Sequence, residues 1–217
     1  YNGFASIIGK MYTAGSYQGA AIIQNNGLAF FSYNGTTTAS NYTLPVGEWV
    51  HLGITYDGST SCKFYANGVL QFDDTATPSN AHTTNFVIGD SNIWVGTQAT
   101  MEQVRVYTSE LAASNMLNIY NNSKPGSLPP LTTASDISSI STLNYPSGTT
   151  GKALYQFQGT ADELSDSALD FTNTSVSFTD GKFGEAATFD GTTSYLTFTS
   201  GLGSVANRTR SCWFYVD

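Results

Sequence analysis

The chain has 217 residues, a formal net charge of −8 and only 8 lysines and arginines, so it lacks the basic surface that a polyanion requires. Nucleic acid is therefore not an expected partner. Charged residues make up 11% of the chain and aromatic residues 13%, a composition that favours strands and tight turns. We therefore expect an all-β protein. No apolar run approaches the roughly 20 residues needed to span a bilayer, so no membrane-spanning segment is expected in this sequence.

Short apolar or alternating runs, each closed by Gly, Asn or Asp, fill the first half of the chain. They are "ASIIGKMY", "GAAIIQN", "LAFFSYNG", "EWVHLGITYDG", "CKFYANGVLQF", "NFVIGD" and "MEQVRVYT". Each run is predicted to be one strand, and seven strands within about 107 residues indicate a sandwich.

One helix is predicted after these strands, over Ser109–Asn122, with Ser109 as its N-cap. Its apolar face would consist of Leu111, Met116, Leu117, Ile119 and Tyr120.

Residues 123–150 then form a predicted linker, because they hold four of the six prolines and are dense in Ser and Thr. Strand patterns resume in "KALYQFQG", "SVSFTDG", "EAATFDG", "SYLTFTSG" and "RSCWFYVD". This second run of strands is too short to form a closed domain alone.

The stretch "LPVGEWVHLGITYDGSTSCKFYANGVL" resembles the laminin G-like, concanavalin A-like jelly-roll family. The matching positions are Trp49, His51, Thr55, Tyr56, Asp57, Gly58, Tyr65, Asn67 and Gly68. "MEQVRVYTSELAASNMLNIY" resembles the closing strand and helix of that family, with Glu102 and Gln103 replacing the usual Asp-Glu. The resemblance implies an all-β concanavalin A-like jelly-roll β-sandwich with one short helix.

The order of the resemblance is permuted. Residues 1–122 resemble the last two-thirds of such a sandwich, and residues 151–217, with "GKFGEA" and "FDG", resemble its first third. Joined end to end, "SCWFYVD" and "YNGFASIIGK" read as one uninterrupted hairpin region. Three arrangements stay open: a tandem repeat, a circular permutant, or a subunit that lends its last strands to its neighbour. We predict that Asp217 meets Tyr1 of the next unit, with the permutant as the alternative.

In each arrangement the two segments share one core. The residues expected to face it are Trp49, Ile54, Tyr65, Phe86, Ile88, Val104, Val106, Phe189, Leu196 and Trp213. His51 matches a family position that is usually structural, so it is expected to be a packed strand residue.

Catalysis is not expected. Retaining glycoside hydrolysis needs two carboxyl groups about 5 Å apart, whereas the glutamates at 48, 102, 110, 163 and 185 lie at least eight residues from one another. A nucleophilic triad would have to use His51 or His82, and His82 lies in a polar loop.

Calcium is the candidate cofactor, because several acidic residues lie in predicted loops and hard cations prefer clustered carboxylate and carbonyl oxygens. The candidate ligands are Asp90, Glu102 and Asp190, with Asp73 and Asp74 also available. The alternative for each is a turn or a solvated side chain, and Asp57 and Asp190 precede glycine, as hairpin turns prefer.

Carbohydrate binding would use exposed aromatic rings, for which Trp94 and Tyr33 are the candidates, with Tyr12 or Tyr17 also available. Packing is the alternative for each ring. Cys62 and Cys212 both fall in predicted strands. They are expected either to form a disulfide with each other or to be buried free thiols. Five Asn-x-Ser/Thr sequons occur, at Asn34, Asn41, Asn121, Asn173 and Asn207.

Two functions follow. The first is a structural repeat or subunit of an extracellular fibre, either a virion appendage or a cell-surface filament, with copies of the chain joined head to tail. The alternative is a monomeric, permuted carbohydrate-binding or adhesion module with glycans as partners.

Overall fold

The computed structural model describes residues 4–12, 18–25, 27–33, 36–75, 85–89, 95–123, 151–163, 169–198 and 207–216. Within them it has sixteen strands and one helix. The strands are β1 (Phe4–Tyr12), β2 (Gln18–Asn25), β3 (Leu28–Tyr33), β4 (Thr36–Thr43), β5 (Trp49–Asp57), β6 (Ser61–Ala66), β7 (Val69–Thr75), β8 (Phe86–Ile88), β9 (Val95–Gly96), β10 (Gln98–Tyr107), β11 (Gly151–Tyr155), β12 (Thr172–Thr174), β13 (Ser177–Asp180), β14 (Glu185–Asp190), β15 (Tyr195–Phe198) and β16 (Asn207–Tyr215), and the helix is α1 (Ala113–Asn122).

These strands form two sheets of a sandwich, which confirms the predicted fold class. Sheet I has the order β12-β15-β8-β1-β2-β3-β4, with β9 beside β1. Sheet II has the order β13-β14-β10-β16-β5-β6-β7, with β11 beside β10. Within the described residues no helix has the length and apolar character needed to cross a bilayer.

Both sheets combine strands from residues 4–123, the first segment, with strands from residues 151–216, the second segment. In sheet II, β16 lies between β5 and β10 and pairs with β5 over its whole length. In sheet I, β15 lies beside β8. The described contacts between the segments are thus made within one chain. Tyr1 and Asp217 lie outside the described residues, so their predicted junction stays a prediction.

The main core lies between the sheets and is built by strand alternation, because successive side chains of a strand point to opposite faces. On β5, Leu52, Ile54 and Tyr56 point inward, and on β16 Cys212 and Phe214 do the same. Both segments contribute to this core, as the sequence predicts for Ile54, Phe86, Ile88, Val104, Val106, Phe189 and Leu196.

A second, smaller core lies on the outer face of sheet II, beneath α1. It consists of Tyr65, Tyr107, Leu111, Met116 and Ile119. The helix approaches the sheet closely at Gly53, because a Cβ there would overlap Cε of Met116. Any larger residue at position 53 would displace this methionine.

Two predictions of local structure are wrong. The run "CKFYANGVLQF" is a hairpin, not one strand, since Asn67 and Gly68 adopt φ angles of 50° and 76° and join β6 to β7. The helix begins at Ala113 with Ala112 as its N-cap, and that cap makes no side-chain hydrogen bond. Ser109 does not cap it, because it lies four residues before the first helical residue; its carbonyl accepts a hydrogen bond from the Thr209 hydroxyl on β16.

Four residues predicted to be structural lie elsewhere than between the sheets. His51, Tyr65 and Trp213 are buried, but on the outer face of sheet II, because their strand neighbours point inward. Trp49 is only partly buried, because it lies at the start of β5, and its ring packs at a tilt against that of Tyr215, with centroids 5.4 Å apart. Phe189 lies between the sheets.

Candidate functional site

A row of three buried side chains crosses the outer face of sheet II. Glu102 on β10 is the cross-strand partner of Trp213 on β16, which is in turn the partner of His51 on β5. The Trp213 and His51 ring centroids lie 5.5 Å apart, and the indole Nε1–H donates to the Ser123 hydroxyl at 3.0 Å. Tyr120 of α1 packs on the same indole, with centroids 5.6 Å apart.

Residues 181–184, Gly-Lys-Phe-Gly, form a turn between β13 and β14 that covers one end of this row; we call it the strap. The Gly181 amide donates to the Gly184 carbonyl at 2.6 Å and closes the turn. The amides of Lys182 and Phe183 both donate to the Glu102 carboxylate, at 2.8 and 3.1 Å. A carboxylate of the first segment therefore holds a backbone turn of the second segment.

Both strap side chains also contact the tryptophan. The Phe183 ring meets Trp213 edge-on, with centroids 5.9 Å apart. Nζ of Lys182 lies 4.3 Å from the Trp213 ring centroid, within the range of a cation–π interaction. Glu102 and Trp213 together fasten the strap to sheet II.

Burial shifts the pKa values of the ionisable side chains in this region. Glu102 is 0% exposed, and burial raises its pKa to about 7, against the opposing effects of the two backbone amides, Lys182 and Arg105. Burial also lowers the pKa of Lys182. His51 has a pKa lowered to about 3 by burial and then by Arg105, so its imidazole is neutral at physiological pH.

A β-bulge in β10 sets the direction of these side chains. The ladder between β10 and β16 shifts register between Glu102 and Arg105, and Gln103 has a φ angle of 54°. Because of the extra residue, Glu102 and Arg105 point outward while Val104 points into the main core. The Arg105 guanidinium donates to the carbonyl and side-chain oxygens of Gln103 at 3.2 and 3.1 Å.

Two loops with the pattern Asp-Gly-Ser/Thr-Thr-Ser use their aspartate in the same way. Oδ1 of Asp57 accepts the amides of residues 59, 60 and 61, and Oδ1 of Asp190 accepts those of residues 192, 193 and 194. Asp190 also accepts the hydroxyls of Thr193 and Ser194. These hydrogen bonds hold the Asp190 pKa well below its ordinary value, Thr193 contributing most. Both aspartates therefore organise turns.

The structure does not bring Glu102 and Asp190 together as ligands of one ion. Asp190 pairs with Gln98, so Glu102 lies four residues further along β10, roughly 13 Å away at 3.3 Å per residue. Among the described residues, no three His, Cys, Asp or Glu side chains are grouped to hold a metal. Asp90 lies outside them. Asp73 accepts the Ser61 hydroxyl at 3.3 Å, and Asp74 follows it on β7.

The candidate carbohydrate-binding residues are only partly located. Trp94 and Tyr17 lie outside the described residues, as does His82. Tyr33 ends β3 and Tyr12 ends β1. The aromatic candidates therefore stay predictions.

The two cysteines and two of the sequons can be placed. Cys62 and Cys212 are free, buried thiols separated by β5, and burial raises the pKa of each to about 12. Asn121 and Asn173 are exposed, while Asn34 lies outside the described residues.

Two of the glutamates outside the row have structural partners. Glu110 forms an ion pair with Lys63 at 2.7 Å, and Glu163 accepts the Leu154 amide at 2.8 Å. Glu102 is covered by the strap, so it does not reach a substrate in this structure. Glu48, just before β5, and Glu185, the first residue of β14, are both exposed.

The sequence patterns identified "GKFG" and Glu102 separately but not their contact. Lys182 and Phe183 lie 80 and 81 residues from Glu102 along the chain. The structure explains one glycine of the strap, since a Cβ at Gly181 would lie 2.8 Å from Oε2 of Glu102, but no sequence pattern relates the two positions.

Two antiparallel sheets with a helix on the outer face of one define a jelly-roll sandwich. Residues 4–116, more than half of the chain, match the family model of the concanavalin A-like lectin/glucanases superfamily. The chain belongs to this superfamily, which consists mostly of lectins and other binding modules and includes some glucanases. Laminin G-like domains are typically extracellular. Comparison with curated proteins and comparison with solved structures each found no match.

Proposed function

We propose that this chain is a structural repeat of an extracellular fibre, built from laminin G-like sandwiches that are completed head to tail. The observation that supports the proposal is the position of β16, an interior strand of sheet II supplied by the second segment. A sandwich that depends on such a strand accepts it from its own chain or from an identical neighbour.

The composition of residues 123–150 allows either donor. Twenty-eight residues at up to roughly 3.1 Å each reach about 85 Å when proline favours extension. This length is sufficient to return to the same sandwich or to reach the next one.

An engineered disulfide distinguishes the two donors. Thr100 on β10 faces Tyr215 on β16, so the double variant Thr100→Cys/Tyr215→Cys joins the two segments. If copies donate strands to one another, oxidation produces a ladder of covalent multimers on a non-reducing gel. A covalent monomer alone, with single particles in electron micrographs, contradicts the fibre proposal.

The matched control places both cysteines within the first segment. Ser61 and Thr75 face each other on β6 and β7, and Ser61→Cys/Thr75→Cys closes a disulfide inside one chain in either arrangement. Multimers from this control would mean nonspecific oxidation.

The second candidate function is a self-completed carbohydrate-binding or adhesion module without enzymatic activity. It is favoured by the pairing of β16 with β5 and β10 inside one chain and by the binding modules of the superfamily. Glycan-array binding by a monomer, lost in Trp94→Ala, supports this candidate, and an array without binding contradicts it.

Calcium stays a separate proposal centred on Asp90, because the oxygens of Glu102 and Asp190 already accept protein hydrogen bonds. A melting temperature that falls in chelator and recovers with added calcium would support it. An unchanged melting temperature would remove it.

A further inference from the structure

The strap joins the two segments through a buried acid that has no ion-pair contact among the described residues. Glu102 is 0% exposed, and its carboxylate accepts hydrogen bonds from the two strap amides. A buried carboxylate is costly in its ionised form unless hydrogen bonds or cations compensate for lost water. Two backbone amides compensate only in part.

The charged groups around Glu102 lie on several elements. Lys182 is on the strap itself, and Arg105 is on β10 and bonded to Gln103. Beyond Trp213 are the neutral His51 on β5 and Tyr120 on α1. Asp180 and Glu185 flank the strap on β13 and β14. The hydrogen-bond donors to the Glu102 carboxylate among the described residues are the amides of Lys182 and Phe183.

We propose that Glu102 and the strap form a proton-linked latch, which is closed when the carboxyl group is protonated and loosens when it ionises. In the closed strap the acid is removed from water, whereas in the opened strap it is hydrated. Water favours the ionised form, so raising the pH favours opening.

The raised pKa of Glu102 agrees in sign with this linkage. Its value of about 7 in the closed state exceeds the ordinary value of 4.5, so closure binds a proton between these limits. The linkage therefore acts between about pH 4.5 and pH 7. It depends on contacts within a single chain and does not require the fibre proposal.

Opening would uncover the Trp213 indole, because Phe183 and Lys182 both cover that ring. It would also release one attachment between the segments. The strands on either side, β13 and β14, would remain paired with each other.

Native-state hydrogen exchange of the full chain tests the latch. After correction for intrinsic exchange, the protection of the Lys182 and Phe183 amides should fall on the order of 10- to 100-fold from pH 5 to pH 8. Amides of β16 paired to β5 should show a much smaller change. Protection at the strap that does not vary with pH, or an equal fall throughout sheet II, would overturn the proposal.

Two variants separate the latch from general effects of pH. Glu102→Gln keeps the shape but cannot ionise, so strap protection should become independent of pH. Glu163→Gln removes a different buried glutamate, which accepts the Leu154 amide, and should retain the wild-type pH dependence. A pH dependence that survives in Glu102→Gln contradicts the proposal.

If Glu102→Gln does not fold, direct titration of the wild-type carboxyl carbon by NMR decides the question. A Glu102 midpoint above about 6, matched by the shifts of the strap amides, supports the latch. A midpoint near the ordinary value overturns it.

Discussion

The first and second segments contribute to the same sandwich in different ways. In the first, β1 to β4 and β5 to β7 follow one another as neighbours in space, so most pairings join adjacent stretches of chain. In the second, β14, β15 and β16 are placed beside strands of the first segment that are distant in sequence. Local hairpins thus form the frame, and the second segment completes it only through long-range pairing.

Separating the two segments is expected to have the largest effect on folding. Residues 1–123 expressed alone would lack the strand between β5 and β10, and residues 151–217 alone would lack most of both sheets. Neither fragment should show a cooperative thermal transition. Mixing them should restore one, because the interface between them is the core. A cooperative transition in either fragment alone would contradict the interdependence.

Trp213→Ala is expected to have the next largest effect. The indole is 2% exposed and contacts His51, Tyr120, Phe183 and Lys182, which join both segments and α1. The free energy of unfolding should fall by about 3–5 kcal/mol, measured by denaturant titration. Trp49→Ala is the matched control, since that ring is only partly buried, and it should cost less. If both variants lost the same free energy of unfolding, the contacts of Trp213 with His51 and the strap would not add to stability.

The pH dependence of stability should be smaller but distinctive. Because the folded pKa of Glu102 is raised, its protonated form stabilises the fold below pH 4.5, and this contribution is lost as the pH rises through about 7. The free energy of unfolding should therefore fall by about 2–3 kcal/mol across that window. Glu102→Gln should lack this component of the pH profile. A wild-type profile that is flat or rises there would reverse the assigned sign.

The two aspartate loops should show the smallest effects. Asp57→Ala and Asp190→Ala each remove an acceptor of three amides, and Asp190 has two hydroxyl donors in addition. We expect melting temperatures to fall by about 2–4 °C, with the larger fall for Asp190→Ala, since its loop connects sheet II to sheet I. An equal fall would mean that neither the connection between the sheets nor the two hydroxyl donors adds to the contribution of Asp190.

Sequence patterns predicted well what depends on neighbouring residues. The strand pattern predicted β5 with Ile54 inward, and the family motif indicated the fold. The pattern around Asn67-Gly68 was interpreted as a continuous strand although it encodes a hairpin. That error arose because apolar residues continue on both sides of the turn.

The contacts between the segments could not be predicted in the same way. Burial of His51 and Trp213 was expected, but not that they lie beneath a helix instead of between the sheets. Alternation shows which residues share a face but not which face is covered by α1. The contact of Glu102 with Lys182 spans 80 residues, and no periodicity relates positions so far apart.

The reactivity of the two buried thiols reports on the separation of the strands that hold them. Cys62 belongs to the first segment and Cys212 to the second, and the raised pKa of each keeps it in the unreactive thiol form while the sandwich is closed. A thiol reagent added to the native protein reacts only when a strand separates. The rates at the two positions would reveal whether the frame and its completing strands come apart together or in succession.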